Sequence, residues 1–139
     1  MRYYMKILIV DDDFICRKML SRILDNYGEV DIASDGDEAL LAVELALSEE
    51  DPYDLICLDL CMPKLPGLEA LTKIREIEEK NEIRVGNGAK IIITTSLKDT
   101  TSLMTAFRSG CESYLIKPLS KSKIISELVK LKLTKGIEK

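Results

Sequence analysis

Short apolar runs that stop abruptly at chemically reactive residues constrain this chain more than any other feature. Four such runs occur, at residues 7–10, 54–58, 91–93 and 114–116. Helical patterns separate them, and short apolar runs in that alternation are typical of parallel strands buried on both faces. Ligands of open parallel sheets bind just beyond the carboxyl ends of the strands. The residues that follow the four runs are therefore expected to converge on one small site.

The complete pattern predicts five strand–helix units in one domain. A fifth, alternating stretch at residues 30–33 predicts a half-exposed edge strand. Gly28 and Gly110 are placed to end the first and fourth helices, Gly36 lies in a predicted turn, and the last helix begins near Ser120. Right-handed crossovers between such units make a three-layer α/β sandwich. We therefore expect a single domain over residues 1–139, with a core at about residues 5–133 and no output domain.

Composition excludes several classes of protein. A net charge of −4 and a pI near 5.0 argue against a nucleic-acid-binding surface. No apolar stretch is long enough to span a bilayer, and residues 1–4 lead directly into a strand, so we expect a cytoplasmic protein without membrane contact. The chain has no histidine, which removes histidine-based catalysis. Among its four cysteines, those at 16, 57 and 111 are predicted to be buried apolar residues.

Three carboxylates at neighbouring strand ends would form a metal site. Asp11 and Asp12 end the first run and Asp59 ends the second. Like charges at short range require a raised pKa or a bound cation, and hard oxygen ligands suit Mg²⁺, with Mn²⁺ as the alternative. A helix cap could explain Asp13, but it does not explain an acid at the matching end of another strand.

The same positions suit phosphoryl transfer. A carboxylate can attack phosphorus to form an acyl phosphate, and Asp59 is the natural nucleophile because it stands alone at a central strand end. Lys117 would supply a compact positive charge to a phosphoryl oxygen. The hydroxyl of either Thr95 or Thr94 could donate to another oxygen.

These residues together resemble the receiver domain of two-component response regulators, from Met5 to about Leu133. The resemblance rests on short motifs that occur in order along nearly the whole chain. They are residues 7–12, the segment Asp59-Leu60-Cys61-Met62-Pro63 with Gly67, Thr95-Ser96, the Ala106-to-Gly110 spacing, and residues 114–118. The resemblance implies a flavodoxin-like fold with a five-stranded parallel sheet in the order 2-1-3-4-5, of the kind known in chemotaxis receivers.

The resemblance also implies a role for each matching residue. Asp59 would be phosphorylated by a sensor histidine kinase or a histidine phosphotransfer protein. Asp12 and Asp59 would ligate Mg²⁺, with Asp11 close by through water and the backbone carbonyl of Cys61 as a further ligand. Thr95 and Lys117 would bind the phosphoryl group. Thr95 and Tyr114 would be the pair that changes position with it. The resemblance also implies a cis peptide between Lys117 and Pro118.

Three positions depart from the family pattern or fall where it varies. Pro66 replaces an acid that often precedes Gly67, which should affect only the loop. Cys61 and Leu97 occupy variable positions that tune dephosphorylation in the family. Because neither side chain can orient a water molecule, the resemblance implies a long-lived phosphoryl group.

The expected output is protein binding or onward phosphotransfer, and the chain would catalyse only its own phosphorylation and dephosphorylation. A downstream protein effector is the expected partner. The last helix is locally basic, which predicts a solvated face or, alternatively, a docking surface for an acidic partner; its charged residues are Lys121, Lys123, Lys130, Lys132, Lys135 and Glu127.

Two other functions use some of the same residues. A haloacid-dehalogenase-type phosphatase would use Asp11 and Asp13 as its acid pair, but Phe14 and Ile15 replace the small residues that should follow. A receiver-like scaffold that is never phosphorylated is the third hypothesis.

Overall fold

The apolar runs form the strands of one parallel sheet. The computed structural model describes residues 4–134. Its strands are β1 Met5–Val10, β2 Gly28–Ala33, β3 Leu55–Leu58, β4 Lys90–Thr95 and β5 Ser113–Ile116. All neighbouring pairs are parallel and their order is β2-β1-β3-β4-β5, which confirms the expected topology.

Five helices connect and cover these strands. They are α1 Phe14–Leu24, α2 Gly36–Ser48, α3 Gly67–Lys80, α4 Thr100–Ser109 and α5 Lys121–Lys130. Four of them begin after a side chain that accepts a hydrogen bond from a backbone N–H in the first turn, as good N-caps do; these caps are Asp13, Asp35, Asp99 and Ser120. Capping therefore explains Asp13, as the sequence allowed, and places the start of α5 where it was expected.

Two apolar cores lie on opposite faces of the sheet, which makes the predicted three layers. One core packs the sheet against α2, α3 and α4, and includes Cys111. The other packs it against α1 and α5, and includes Cys16 and Cys57. All three cysteines are buried, as predicted. Every residue of β1 and β3 is buried as well, so their ends are held rigidly at the middle of the sheet.

Two glycines have roles other than the predicted ones. Helix α1 ends at Leu24, not at Gly28, which is the first residue of β2. A Cβ at Gly28 would lie 2.1 Å from the carbonyl oxygen of Met5, so the close approach of two strands requires the glycine. Gly36 is the first residue of α2 rather than part of a turn, and a Cβ there would meet Leu65 at 2.9 Å. Both glycines serve tertiary packing, which a local pattern does not show.

The basic residues of the last helix face solvent. Lys121, Lys123, Lys130 and Lys132 are all exposed, and Lys130 pairs with Glu127 at 3.3 Å. Lys135, which was counted with them, lies outside the described residues, as do residues 1–3. No helix between residues 4 and 134 combines the length and the apolar character needed to cross a bilayer.

Candidate functional site

The carboxyl ends of three neighbouring strands bring the predicted acids and hydroxyl together. Val10 lies beside Leu58, so Asp11 and Asp59 follow adjacent strand ends. Thr95 ends β4 on the other side of β3. Lys117 follows β5, and its backbone N–H bonds to the carbonyl of Thr95 at 2.7 Å. The convergence expected from the four apolar runs is therefore present.

Three carboxylates form a compact cluster of oxygen atoms. One carboxylate oxygen from each of Asp11, Asp12 and Asp59 lies within 4.8 Å of the others. Asp11 is fully buried and Asp59 is 4% exposed, whereas Asp12 is exposed to solvent. Hard oxygen donors with one open side suit Mg²⁺, which keeps several of its waters and takes only one or two protein carboxylates. The residues present therefore fit a magnesium ion.

Lys117 bridges two of these carboxylates. Its Nζ donates to Asp11 Oδ2 at 2.9 Å and to Asp59 Oδ2 at 3.4 Å. Burial alone would lower the pKa of Lys117, but the hydrogen bond to Asp11 and the negative charges of both acids outweigh burial and raise that pKa. The ammonium is therefore charged at neutral pH and sits where an anion on Asp59 would need it.

Asp59 is held in a site that disfavours its own charge. Burial, with help from the negative charge of Asp11, raises its pKa, although the backbone N–H of Cys61 and the ammonium of Lys117 oppose this shift. The Cys61 N–H donates to Asp59 Oδ1 at 3.2 Å. One oxygen is thus fixed by the backbone while the other faces Lys117. An additional cation would favour the ionised, nucleophilic form.

Thr95 and Tyr114 both contact Leu97, the residue at one of the two variable positions. Thr95 is fully buried, and its Oγ1 accepts a hydrogen bond from the backbone N–H of Leu97 at 3.2 Å. The hydroxyl of half-buried Tyr114 donates to the backbone carbonyl of Leu97 at 3.0 Å. The two residues of the expected switch pair are therefore linked through a single loop residue.

Two residues next to the acids were missed as site residues. Arg17 donates from Nη1 to the backbone carbonyl of Asp11 at 2.9 Å, which holds the first acid in place. Cys16, predicted only as a buried apolar residue, lies near Asp11; burial, together with the neighbouring Asp11 carboxylate, raises the pKa of its thiol to about 12. Both residues lie within four positions after Asp13, at the start of α1. This closeness in sequence to the acids is the feature that could have indicated their role.

Other predictions about the site have mixed outcomes. The Lys117-Pro118 peptide is cis, as the resemblance implied. Cys61 is exposed beside Asp59, and its carbonyl remains a predicted metal ligand. Asp13 caps α1 by accepting from the N–H of Ile15 at 3.1 Å, so the carboxylate cluster does not include the acid that a dehalogenase-type pair would need.

The sequence matches the family profile described as the response regulator receiver domain over residues 7–129. It is 32% identical to the chemotaxis protein CheY of Halobacterium salinarum over 123 residues, which cover 88% of this chain and 92% of CheY. It is 33% identical to the hybrid signal transduction histidine kinase B of Dictyostelium discoideum over 131 residues. Those residues cover 90% of this chain but only 6% of the kinase.

Solved structures show the same likeness. The chain resembles one in the crystal structure of the CheX-CheY-BeF3-Mg²⁺ complex from Borrelia burgdorferi, with a TM-score of 0.79 and 25% identity. The similarity covers 94% of this chain and 90% of the solved one. The likeness therefore extends to sequence, topology and nearly the full length of the compared domain.

Proposed function

The chain belongs to the response regulator receiver family, and from that membership we propose that Asp59 accepts a phosphoryl group from a phosphohistidine donor. The observation that carries the proposal is the position of Lys117, whose ammonium lies 2.9 Å from Asp11 and 3.4 Å from Asp59 inside a cluster of three carboxylates. Asp11, Asp12, Asp59 and the carbonyl of Cys61 would hold Mg²⁺ or Mn²⁺. The ion, when bound, would neutralise charge on the phosphoryl oxygens.

The protein's own residues divide the work of transfer. A carboxylate oxygen of Asp59 forms a bond to phosphorus as the bond from phosphorus to the donor imidazole nitrogen breaks. The imidazole, protonated on its other ring nitrogen, leaves as a neutral molecule. Lys117 offers a charge-assisted hydrogen bond to one phosphoryl oxygen. The hydroxyl proton of Thr95 is available to another, because Thr95 Oγ1 acts as an acceptor toward Leu97.

Phosphorylation would be read out through Leu97. A phosphoryl group adds about −1.5 to −2 charges and three strong acceptors, which would draw Thr95 toward Asp59. Moving Thr95 disturbs its bond to the Leu97 N–H, and Tyr114 is bound to the carbonyl of the same residue. The change would therefore reach β5 and the adjoining helices α4 and α5 through two local hydrogen bonds.

The surface next to this switch suits a protein partner. Large apolar side chains on α4 and α5 are partly exposed: Met104 by 45%, Phe107 by 46% and Val129 by 41%. Such side chains favour contact with protein rather than with nucleic acid. We infer a downstream protein effector, and a sensor histidine kinase or phosphotransfer protein as the donor. We also propose that the protein acts as a stand-alone receiver. Four unpaired cysteines support a cytoplasmic location.

Incubation with Mg²⁺ and a small phosphodonor such as acetyl phosphate tests the proposal. Intact mass should show one added phosphoryl group on the wild type and none on Asp59→Asn. Asp37→Asn, which changes an exposed acid on α2, is the matched control and should be modified normally. No added mass on the wild type would leave the unphosphorylated scaffold as the better hypothesis. Phosphoester hydrolysis that survives Asp59→Asn would instead support a phosphatase.

A further inference from the structure

Thr94 lies on the same face of the sheet as Asp59 and Lys117, the acceptor and the lysine of the site. Alternate residues of a strand point to opposite faces. Ile92 belongs to the core under α1 and α5, while Ile91 and Ile93 belong to the opposite core. Thr94 therefore projects toward α1 and α5, and Thr95 toward the other face.

The same alternation places Asp59 and Lys117 on the face of Thr94. Cys57 and Leu115 pack in the core under α1 and α5, and Asp59 and Lys117 follow them by two residues. Within the sheet, Leu58 pairs with Ile93, so Asp59 comes next to Thr94, and Thr94 itself pairs with Leu115. Thr94 thus stands between the strand that ends in Asp59 and the strand that leads to Lys117.

The hydroxyl of Thr94 is buried and unpaired. Thr94 has no solvent exposure, and its Oγ1 finds no hydrogen-bond partner anywhere in the described part of the chain. A buried polar atom without a partner destabilises a fold, whereas valine would fill nearly the same volume without that penalty. A hydroxyl at this position therefore calls for a functional explanation.

Lys117 is a donor on the same face of the sheet, just beyond the end of β5, which pairs with the strand of Thr94. Its ammonium carries three N–H groups. Two are directed at the carboxylates, at 2.9 Å from Asp11 and at the longer 3.4 Å from Asp59. One N–H remains, and the bond to Asp59 must change when that carboxylate becomes an acyl phosphate.

We propose that Thr94 is a positioning residue for Lys117. When Asp59 becomes an acyl phosphate and its bond to Lys117 changes, Thr94 Oγ1 accepts a hydrogen bond from the ammonium and holds Lys117 toward the phosphoryl oxygen. The inference rests on phosphorylation of Asp59 and adds a second threonine to the site. Thr95 and Thr94 then serve the phosphoryl group from opposite faces of β4, where the sequence had left them as alternatives.

Three variants on one strand test this role: Thr94→Val, Thr94→Ser and Ile92→Val. The measurements are the rate of Asp59 phosphorylation as a function of acetyl phosphate concentration, Mg²⁺ affinity and thermal unfolding. Thr94→Val should lower the maximal rate about five-fold and leave half-saturation by the donor and Mg²⁺ affinity unchanged, since a lost charge-assisted hydrogen bond acts on the transition state. Its unfolding temperature should be equal to or above that of the wild type.

The two other variants separate the hydroxyl from packing. Thr94→Ser keeps the hydroxyl and should react within about two-fold of the wild type, as should Ile92→Val, which trims the same buried face. Equal rates for Thr94→Val and wild type would overturn the inference, and so would a Thr94→Ser variant as slow as Thr94→Val. A wild type that takes up no phosphoryl group would instead refute the proposed function, and this role with it.

Discussion

Lys117 and Asp11 meet across the sheet although they are 106 positions apart in the chain, with Nζ 2.9 Å from Oδ2. Asp11 has no solvent exposure, and the Lys117 side chain is 21% exposed. A buried acid without a partner is costly to the fold, and Lys117 is the partner that the structure gives to Asp11. The pair therefore links the stability of the fold to the occupancy of the site.

Removing the lysine should destabilise the protein in a way that Mg²⁺ repairs. Lys117→Met leaves two buried carboxylates without their ammonium, so we expect a loss of about 3 kcal/mol in the free energy of unfolding in metal-free buffer. Added Mg²⁺ should restore part of this loss, because it supplies the missing positive charge. Urea unfolding with and without MgCl₂ measures both effects. Lys123→Met, at an exposed lysine on α5, should show neither.

Asp59→Asn should stabilise the protein at neutral pH. The pKa of Asp59 is raised above its usual 3.8, mainly by burial, so the folded chain holds this proton more tightly than the unfolded chain does. Stability from this group is present below pH 3.8 and is lost as the pH rises through the raised folded-state pKa. The advantage of Asp59→Asn should grow across that window.

Thermal unfolding from pH 3 to pH 8 checks the prediction. In the variant Lys117 keeps its 2.9 Å bond to Asp11. Loss of its longer contact with the Asp59 carboxylate should therefore not cancel the gain in stability. Mg²⁺ should reduce the difference in unfolding temperature between the variant and the wild type, because the ion stabilises the ionised Asp59 carboxylate of the wild type. A variant that is less stable than the wild type at pH 7 without metal would contradict the expectation.

The phosphoryl group should be long-lived. Cys61 is exposed beside Asp59, and Leu97 is half-buried; neither side chain can hold a water molecule in line for attack. Cys61→Asn supplies a polar group at the exposed position and should shorten the phosphoryl lifetime about ten-fold or more. Intact mass at intervals after removal of the donor follows the decay. Cys61→Ala is the control for loss of the thiol, and rapid loss from the wild type would refute the prediction.

Arg75 should be a major stabilising residue far from the site. All of its N–H groups are engaged, by the carbonyls of Gly110 and Ala89 and by the carboxylates of Glu78 and Glu112 at 2.6 and 2.9 Å. Arg75→Met leaves these acceptors without a donor, so we expect a loss of about 2–4 kcal/mol in the free energy of unfolding. Partial exposure of Arg75 to solvent keeps the loss within this range.

Chemical denaturation of Arg75→Met and of a neighbouring arginine variant tests this. Arg108→Met, at an exposed residue of α4, should stay within about 0.5 kcal/mol of the wild type. Similar losses in the two variants would show that general surface charge, not the buried network, carries the effect.

Local sequence patterns predicted most of the fold. Apolar runs and helical stripes located the strands and helices, and residues at the run ends converge because parallel strands end at one edge of a sheet. The end of α1 was misplaced because Gly28 serves the approach of β1 and β2, which is a contact between strands. Arg75 bonds to Gly110 and Glu112, which lie 35 and 37 positions away, and only its pairing with Glu78 three residues along the same helix is a local pattern.

Local patterns were enough to establish which residues can react and which end of the sheet they share, since burial of apolar runs and the chemistry of side chains are local properties. How these residues interact follows from packing: Lys117 contacts both Asp11 and Asp59, and burial raises the pKa of Asp59. Packing also sets which of the two threonines at the end of β4 shares a face with Asp59 and Lys117, and that residue is Thr94. These relationships depend on strand register and on desolvation, which arise only when distant segments pack together.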